Sequence, residues 1–517
     1  MEFVIINRTM NTRAVRVLGG ERKRAGACLL AILLALLPVP QVTAAGEVPL
    51  PAACSTYVPV LVVGGTPAGV AAAVAAARLG SPVILTEARP YLGGVLTASM
   101  LNTFDMDVGP HGEQLARGIF LDVYHQLGMT FDVETAKRVF LEEVQREPLV
   151  SLRLSMRPVE VVMQGPNVAG VELEDALKHE RQTICAKRIV DATDDADIAA
   201  MAGVPYRLGR EGSGRDRSMM AATLVFGLGG VDLRALTASI SGSSRRHMRR
   251  SGAYHGNIWG FRDVMRAYQP SQPGIGILDL NIGLQSDGTV LINGLLVYGV
   301  DGTDPASVAD GMRRARAELP DLVSFLRASV PGFADAELVK VADELYIRET
   351  RHVWGLYTLT VKDIESDRMF WDAIGVANYP IDLHPYHPGE VNPYAAARHT
   401  YTIPLRALVP LGTGNLLLAS RSISASYEAA GSTRVIPTTM EEGQAAGTAA
   451  VLSLRDRVLV SRFADTPTLV HELQETLSRA GAYLPAETLA AAQGPDGRTP
   501  ASATHRASPP LAVPAAP

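Results

Sequence analysis

Residues 58–94 read VPVLVVGGTPAGVAAAVAAARLGSPVILTEARPYLGG. The run 58–63 is apolar and β-branched, short enough for a buried parallel strand. A turn follows at once: Gly64, Gly65, Thr66, Pro67, Ala68, Gly69. Residues 70–79 are rich in alanine, whose small side chain lets a helix lie close on a sheet, and Gly80 stands where a C-cap belongs. A second strand at 83–86 ends at Glu87. Strand, glycine turn, helix, strand and acid in this order form a dinucleotide-binding fingerprint: turn amides and a helix N-terminus for a pyrophosphate, then a carboxylate for a ribose hydroxyl. Thr66 stands where the second glycine of the pattern belongs. Its Cβ takes up room, and its hydroxyl is expected to donate to a phosphate oxygen.

Around this unit the chain has 517 residues, enough for two or three domains, and a formal net charge of −5, which gives no reason to expect a nucleic-acid partner. The richest basic cluster, Arg245, Arg246, Arg249 and Arg250, is short and flanked by Ser and Gly, as in a solvated loop. Arg22, Lys23 and Arg24 precede an uncharged Leu/Ala run at 25–38 and small residues at 40–45, the layout of a secretory signal peptide. The expected location is secreted or periplasmic, with no stable membrane insertion once the leader is removed; an uncleaved N-terminal anchor is the alternative. Met10 is a second possible start. Of three cysteines, Cys28 lies in the leader. Cys54 and Cys185 could pair in an oxidising compartment, but Cys185 sits in an apolar strand-like stretch and reads as a buried small hydrophobe. There is no CxxC, which removes dithiol relays and cysteine-based metal sites; no metal is expected.

The loop 96–112 carries Asp105, Asp107 and His111. Helices are expected at 116–127 and 132–146, strands at 149–154, 159–163 and 168–173, and a buried strand at 183–192. Strands at 222–226, 276–282 and 290–297 are followed by a helix opened by Asp304 and Pro305 and closed by Pro331 and Gly332. A strand at 415–419 leads to a helix at 440–454, where Thr438 with Glu441 and Thr439 with Glu442 fit capping boxes. A last helix spans 468–479. The organisation expected is a leader (1–45), a linker (46–57), an FAD-binding domain in two parts (58–220 and 342–460), an inserted substrate domain (221–341), a C-terminal helix (461–490) and a disordered tail (491–517).

The blocks VVGGTPAGVAAAVAAARLG, EARPYLGGVLT, DATDDADIAAMAGVPYRLGREG, LYIRETRHVWG, NYPIDLH, YTIPLRALVP and LLLASRSISASYEAAGSTRVIPTTMEEGQAAGTAAVLSL resemble the FAD_oxidored family of FAD-dependent oxidoreductases, over about residues 58–454. The resemblance implies an α/β fold: a glutathione-reductase-like FAD-binding Rossmann domain with an inserted α+β substrate domain. It implies non-covalently bound FAD, contacted by Gly64, Gly65, Thr66, Pro67, Ala68, Gly69, Glu87, Ala88, Arg89, Gly94, Val159, Arg434, Thr438 and Thr439. It places the N-terminus of the 440–454 helix at the pyrimidine edge of the isoalloxazine, where about half a positive charge would stabilise the reduced flavin.

It also places Arg348 and Arg351 near the flavin, where they could fork onto a substrate carboxylate or support the reduced flavin, or else join a salt-bridge network between domains. His352 stands where the family more often has Arg. Asp382 and His384 are two apart in an extended segment and share a face, a pairing that suits an acid or base as well as a structural hydrogen bond. His111 is a further candidate. The glycines at 227, 229, 412 and 414 lack the rest of a second fingerprint, so the redox partner is external: oxygen, a quinone or a carrier protein. The expected activity is hydride transfer between a small organic molecule and FAD. A flavin-binding scaffold without turnover and a reductase or dehydrogenase of carboxylates are the alternatives.

Overall fold

The computed structural model describes residues 54–241, 251–394 and 397–486. The leader, Met10, Cys28, the arginine cluster at 245–250 and the tail from 491 lie outside the described residues.

The fingerprint folds as the centre of a seven-stranded sheet. Strands β1 (Thr56–Val63), β2 (Val83–Thr86) and β3 (Val150–Arg153) run parallel. β4 (Met156–Gln164), β5 (Asn167–Asp175) and β6 (Arg181–Asp191) form an antiparallel meander, and β6 returns parallel to β1. β6 has 11 residues and serves two neighbours on one side: its N-terminal half pairs with β5, its C-terminal half with Leu416–Leu418. Asn415 bridges the change of neighbour, accepting from Val168 N at 3.0 Å and donating to Val168 O at 2.7 Å.

Helix α1 (Pro67–Arg78) is buried from Pro67 to Ala77 because it lies between the sheet and the Ile436–Arg455 helix. The two helices touch through small residues at i, i+4 spacing. A Cβ on Gly443 would overlap the Ala68 carbonyl, and one on Gly447 the Ala72 carbonyl. Main chain therefore packs on main chain, which brings the two helices' N-terminal residues to one cavity. The Ile436–Arg455 helix begins four residues before the expected start at 440, because Pro437 is accommodated in its first turn, where no intrahelical N–H is needed. Thr438 and Thr439 consequently sit inside the helix, and neither expected capping box forms; Val435 is the N-cap, with no side-chain cap.

A second sheet of six strands, in the order Glu337–Val341, Ala222–Gly229, Val290–Val297, Ile275–Leu284, Asn257–Gly260 and Gly252–Tyr254, is antiparallel throughout. The Pro305–Ser329 helix, capped by Asp304 as expected, covers it and gives it a separate apolar core. Two residues from the first part of the chain, Met100 and Val133, enter that core and tie the layers together. Among the described residues no helix is long and apolar enough to cross a membrane.

Cys185 departs from its expected role. It forms a disulfide with Cys54, 131 residues away, with Cα atoms 5.6 Å apart. The parallel register sets Tyr57 opposite Cys185, so the chain just before β1 lies beside that cysteine; strand register across such a separation cannot be read from spacing. Closing so long a loop restricts the unfolded chain, and Cys185→Ala is expected to cost about 2–4 kcal/mol. Thermal melts of the parent and the variant check this, and equal melting temperatures would contradict it.

Candidate active site

The glycine turn is shaped by close approach. Gly64 has φ +107°, and a Cβ there would overlap the Ala192 carbonyl; a Cβ on Gly69 would overlap the Gly64 carbonyl. Thr66 does not offer its hydroxyl to a ligand as expected. Its Oγ1 donates to Ala192 O at 3.0 Å and accepts from Gly69 N at 3.1 Å, so it caps α1. Glu87 is buried at the end of β2, accepting from Gly65 N at 2.6 Å, Arg89 N at 2.9 Å and Arg89 Nη1 at 3.0 Å. Arg89 also clamps Glu344 (2.6 Å), joining the fingerprint to the later part of the chain. Gly94, at φ +51°, backs onto Thr66 and Pro67. Ala88 is exposed beside Glu87, and Val159 sits at a bulge in β4, lining neither of the cavities described next.

Two cavities meet beside this turn. The narrower is lined by Thr66, Pro67 and Ala68 from the start of α1, by Val435, Ile436 and Thr439 from the start of the Ile436–Arg455 helix, and by Arg421. Thr438 turns away from it, donating to buried Asp107 at 2.9 Å. The wider cavity, about 570 Å³, lies under the six-stranded sheet and shares Leu101, Thr103, Asp105, Tyr346, Arg348 and Arg434 with the narrower one. Its volume is within the ~300–1,000 Å³ range of small-molecule sites.

At the junction Asp382 Oδ2 accepts from Arg434 Nη2 at 2.9 Å and lies 3.3 Å from His384 Nε2. Burial alone would raise the Asp382 carboxyl, but His384 and Arg434 hold it below the usual carboxylate range. Burial, reinforced by the Arg348 charge, pushes His384 down to about 4, so its ring is neutral near pH 7. The Asp382 contact calls for the proton on Nε2, which leaves Nδ1, buried and without a partner, as an acceptor. Arg348 is pushed down to about 10 by burial; its Nη1 donates to Ala221 O (2.9 Å) and Thr223 Oγ1 (2.7 Å), and its guanidinium lies 4.2 Å from the Tyr346 ring centroid. Arg434 Nη1 donates to the Tyr346 hydroxyl at 2.9 Å.

The structure thus brings together Arg348, Asp382, His384 and Arg434. Arg351 does not join them: its strand pairs with Tyr206–Leu208, and its Nη1 donates to Asp195 O at 2.6 Å and to Asp197 at 2.8 Å, a fixed ion pair outside both cavities. His352 is taken up by Glu349 at 2.8 Å. His111 is exposed in its loop. Tyr346, Asp105 and Tyr379 line the wider cavity; in the sequence reading Asp105 stands only as a loop acid without a role, and the two tyrosines not at all. Tyr346 had a signal, two residues before Arg348 on an extended segment; Asp105 and Tyr379 lie in irregular loops that only the fold brings together.

A mixed sheet whose parallel strands carry a glycine turn, a helix N-terminus and a buried acid has the geometry of a dinucleotide-binding protein. The chain belongs to the FAD dependent oxidoreductase family, whose profile matches residues 59–477. It is accordingly a flavoprotein with FAD as cofactor and a redox role toward a small molecule. No curated protein matches. Among solved structures, a geranylgeranyl bacteriochlorophyll reductase-like protein from Thermoplasma acidophilum is 12% identical over 85% of this chain and 87% of its own, with a TM-score of 0.39. The p-nitrophenol 4-monooxygenase of Pseudomonas putida is 11% identical over 84% and 92%, with a TM-score of 0.41. A myxobacterial chondrochloren halogenase is 13% identical over 82% and 80%, with a TM-score of 0.37. Likenesses this distant do not bear on activity.

The residues present fit FAD. The first turn of the Ile436–Arg455 helix has no side-chain cap, so amide donors there are free for an electron-rich edge. Arg348, Arg421 and Arg434 hold buried Nε atoms without partners at the same cavity. The Glu87 carboxylate keeps acceptor capacity beside the turn.

Proposed function

We propose that this flavoprotein transfers a hydride between a small organic substrate, held in the wider cavity, and non-covalently bound FAD. Oxygen, a quinone or a carrier protein serves as the other redox partner. The observation that carries the reading is His384, with Nε2 on Asp382 and a buried Nδ1 without a partner, in the wall of the wider cavity next to Arg348 and Arg434, which both cavities share. FAD, when bound, supplies the two-electron chemistry. The chain's own residues do the rest. His384 Nδ1 takes the proton that a substrate hydroxyl or amine loses as its carbon gives up hydride. Asp382 holds the ring and is itself held by Arg434, while Arg348 and Arg434 supply positive charge at the junction. Residues 221–341 act as the substrate cap over 58–220 and 342–460, and the order of the seven-stranded sheet supports a glutathione-reductase-like architecture.

Export to an oxidising compartment is part of the same reading. It is supported by the Cys54–Cys185 disulfide and by the leader-like layout before residue 46.

A base that must be neutral sets the pH dependence. With His384 near 4, flavin reduction by substrate is expected to be flat above about pH 5 and to fall as pH drops through about 4. Anaerobic stopped-flow reduction across pH checks this; a rate that kept rising between about pH 6 and 8 would assign the base elsewhere.

A further inference from the structure

The wider cavity has a chemistry of its own. Four arginines and four carboxylates line it: Arg262, Arg266, Arg348 and Arg434 against Asp105, Asp279, Asp382 and Glu390. Arg266 is tied to Asp263 at 3.0 Å and Glu390 to Arg210 at 3.0 Å. Of the three of each sign that remain, Arg434 and Asp382 are in direct contact at 2.9 Å, while Asp279 feels the charge of Arg262, and Arg348 the charges of Asp382 and Asp105. The lining thus holds as many arginines as carboxylates, and no single sign of charge dominates it.

The roof adds Asn281 and Asn293. They are register partners on adjacent antiparallel strands, so both side chains stand on one face, and both line the cavity. Neither amide has a side-chain hydrogen bond to a described residue. Each presents donors and an acceptor together. A carboxylate only accepts and an ammonium only donates, whereas a hydroxyl does both. Trp259 is the register partner of Asn281 on the next strand and, at 39% exposure, sets an open aromatic surface on the same face.

Resting on the hydride-transfer reading, we propose that the substrate is an uncharged polyhydroxylated molecule, a sugar or polyol, gripped by Asn281 and Asn293 and oxidised at a carbinol held beside His384. The carbinol carbon loses a hydride, whose electron pair passes to FAD. The hydroxyl proton passes to His384 Nδ1, and a carbonyl is left.

The test is calorimetric titration of the flavin-loaded full chain with glucose, maltose, sorbitol and myo-inositol, against lactate, succinate and putrescine, with flavin absorbance followed anaerobically in parallel. At least one neutral polyol is expected to bind. The double variant Asn281→Leu, Asn293→Leu is expected to weaken that binding about tenfold or more, with two hydrogen bonds lost, while flavin content and melting temperature stay at parental values. Polyols that do not bind, or that bind the double variant undiminished, overturn the proposal. Charged compounds that bleach the flavin where polyols neither bind nor bleach also overturn it and leave hydride transfer standing. Polyol binding sensitive to the double variant, with no bleaching by any compound, supports the asparagine grip on a polyol but overturns its oxidation, and with it the hydride-transfer reading.

Discussion

His384→Ala is expected to slow substrate reduction of the flavin by about 10²–10⁴-fold, the range over which a positioned acid or base contributes. The effect should fall on the rate of reduction rather than on FAD content, because the ring meets Asp382 on one side and a vacant acceptor position on the other, and is not part of the glycine turn. His384→Gln retains a polar group of similar reach but cannot hold the proton, so it should share the defect. If either variant reduced at the parental rate, the proton would have to leave by another route. Asp382→Asn gives a graded result: it preserves the shape of the pair, loses the charge that steadies the ring and Arg434, and is expected to fall between the parent and His384→Ala.

The second large effect is on the cofactor. Gly69→Ala places a methyl into the Gly64 carbonyl, and the turn cannot yield without moving Gly64, which is itself against Ala192. Overpacking of this kind costs about 1–3 kcal/mol, so FAD binding is expected to weaken by roughly ten- to a hundredfold. Gly80→Ala is the control. Gly80 has φ +84° but nothing within 4 Å of a Cβ, so it pays only a local backbone cost and should keep its FAD. Flavin released on dilution, measured by fluorescence, separates the two; equal retention would mean that the turn tolerates the methyl and that the cradle is looser than its contacts indicate.

These expectations rest on features that were unequally legible in the sequence. The β1–α1–β2 unit was legible because its signals are local: an apolar run, glycines at fixed spacing, an alanine-rich helix and an acid. Asp382 and His384 were legible for the same reason, since a spacing of two on extended chain puts side chains together. Thr66 was misread because a hydroxyl at that position serves either a ligand or the helix's own amide, and Gly69 N, three residues on, was the nearer partner. The start at Ile436 was missed because proline reads as a boundary from outside and as a first-turn residue from inside. Arg351 and the Cys54–Cys185 pair depend on which distant strand lies alongside, and Asn281 with Asn293 on a cross-strand register. None of these is a local property of the chain.

The measurement that tests the account most directly is an anaerobic absorbance titration of the purified, flavin-loaded protein with neutral polyols, hydroxy acids, unsaturated acids and amines, with dithionite as a chemical reductant for reference. The account predicts that the oxidised-flavin bands bleach with one class of small molecule and that His384→Ala suppresses the bleaching while dithionite still reduces the flavin. Bands that only dithionite can bleach would contradict it and mark the chain as a flavin-binding protein without turnover of its own.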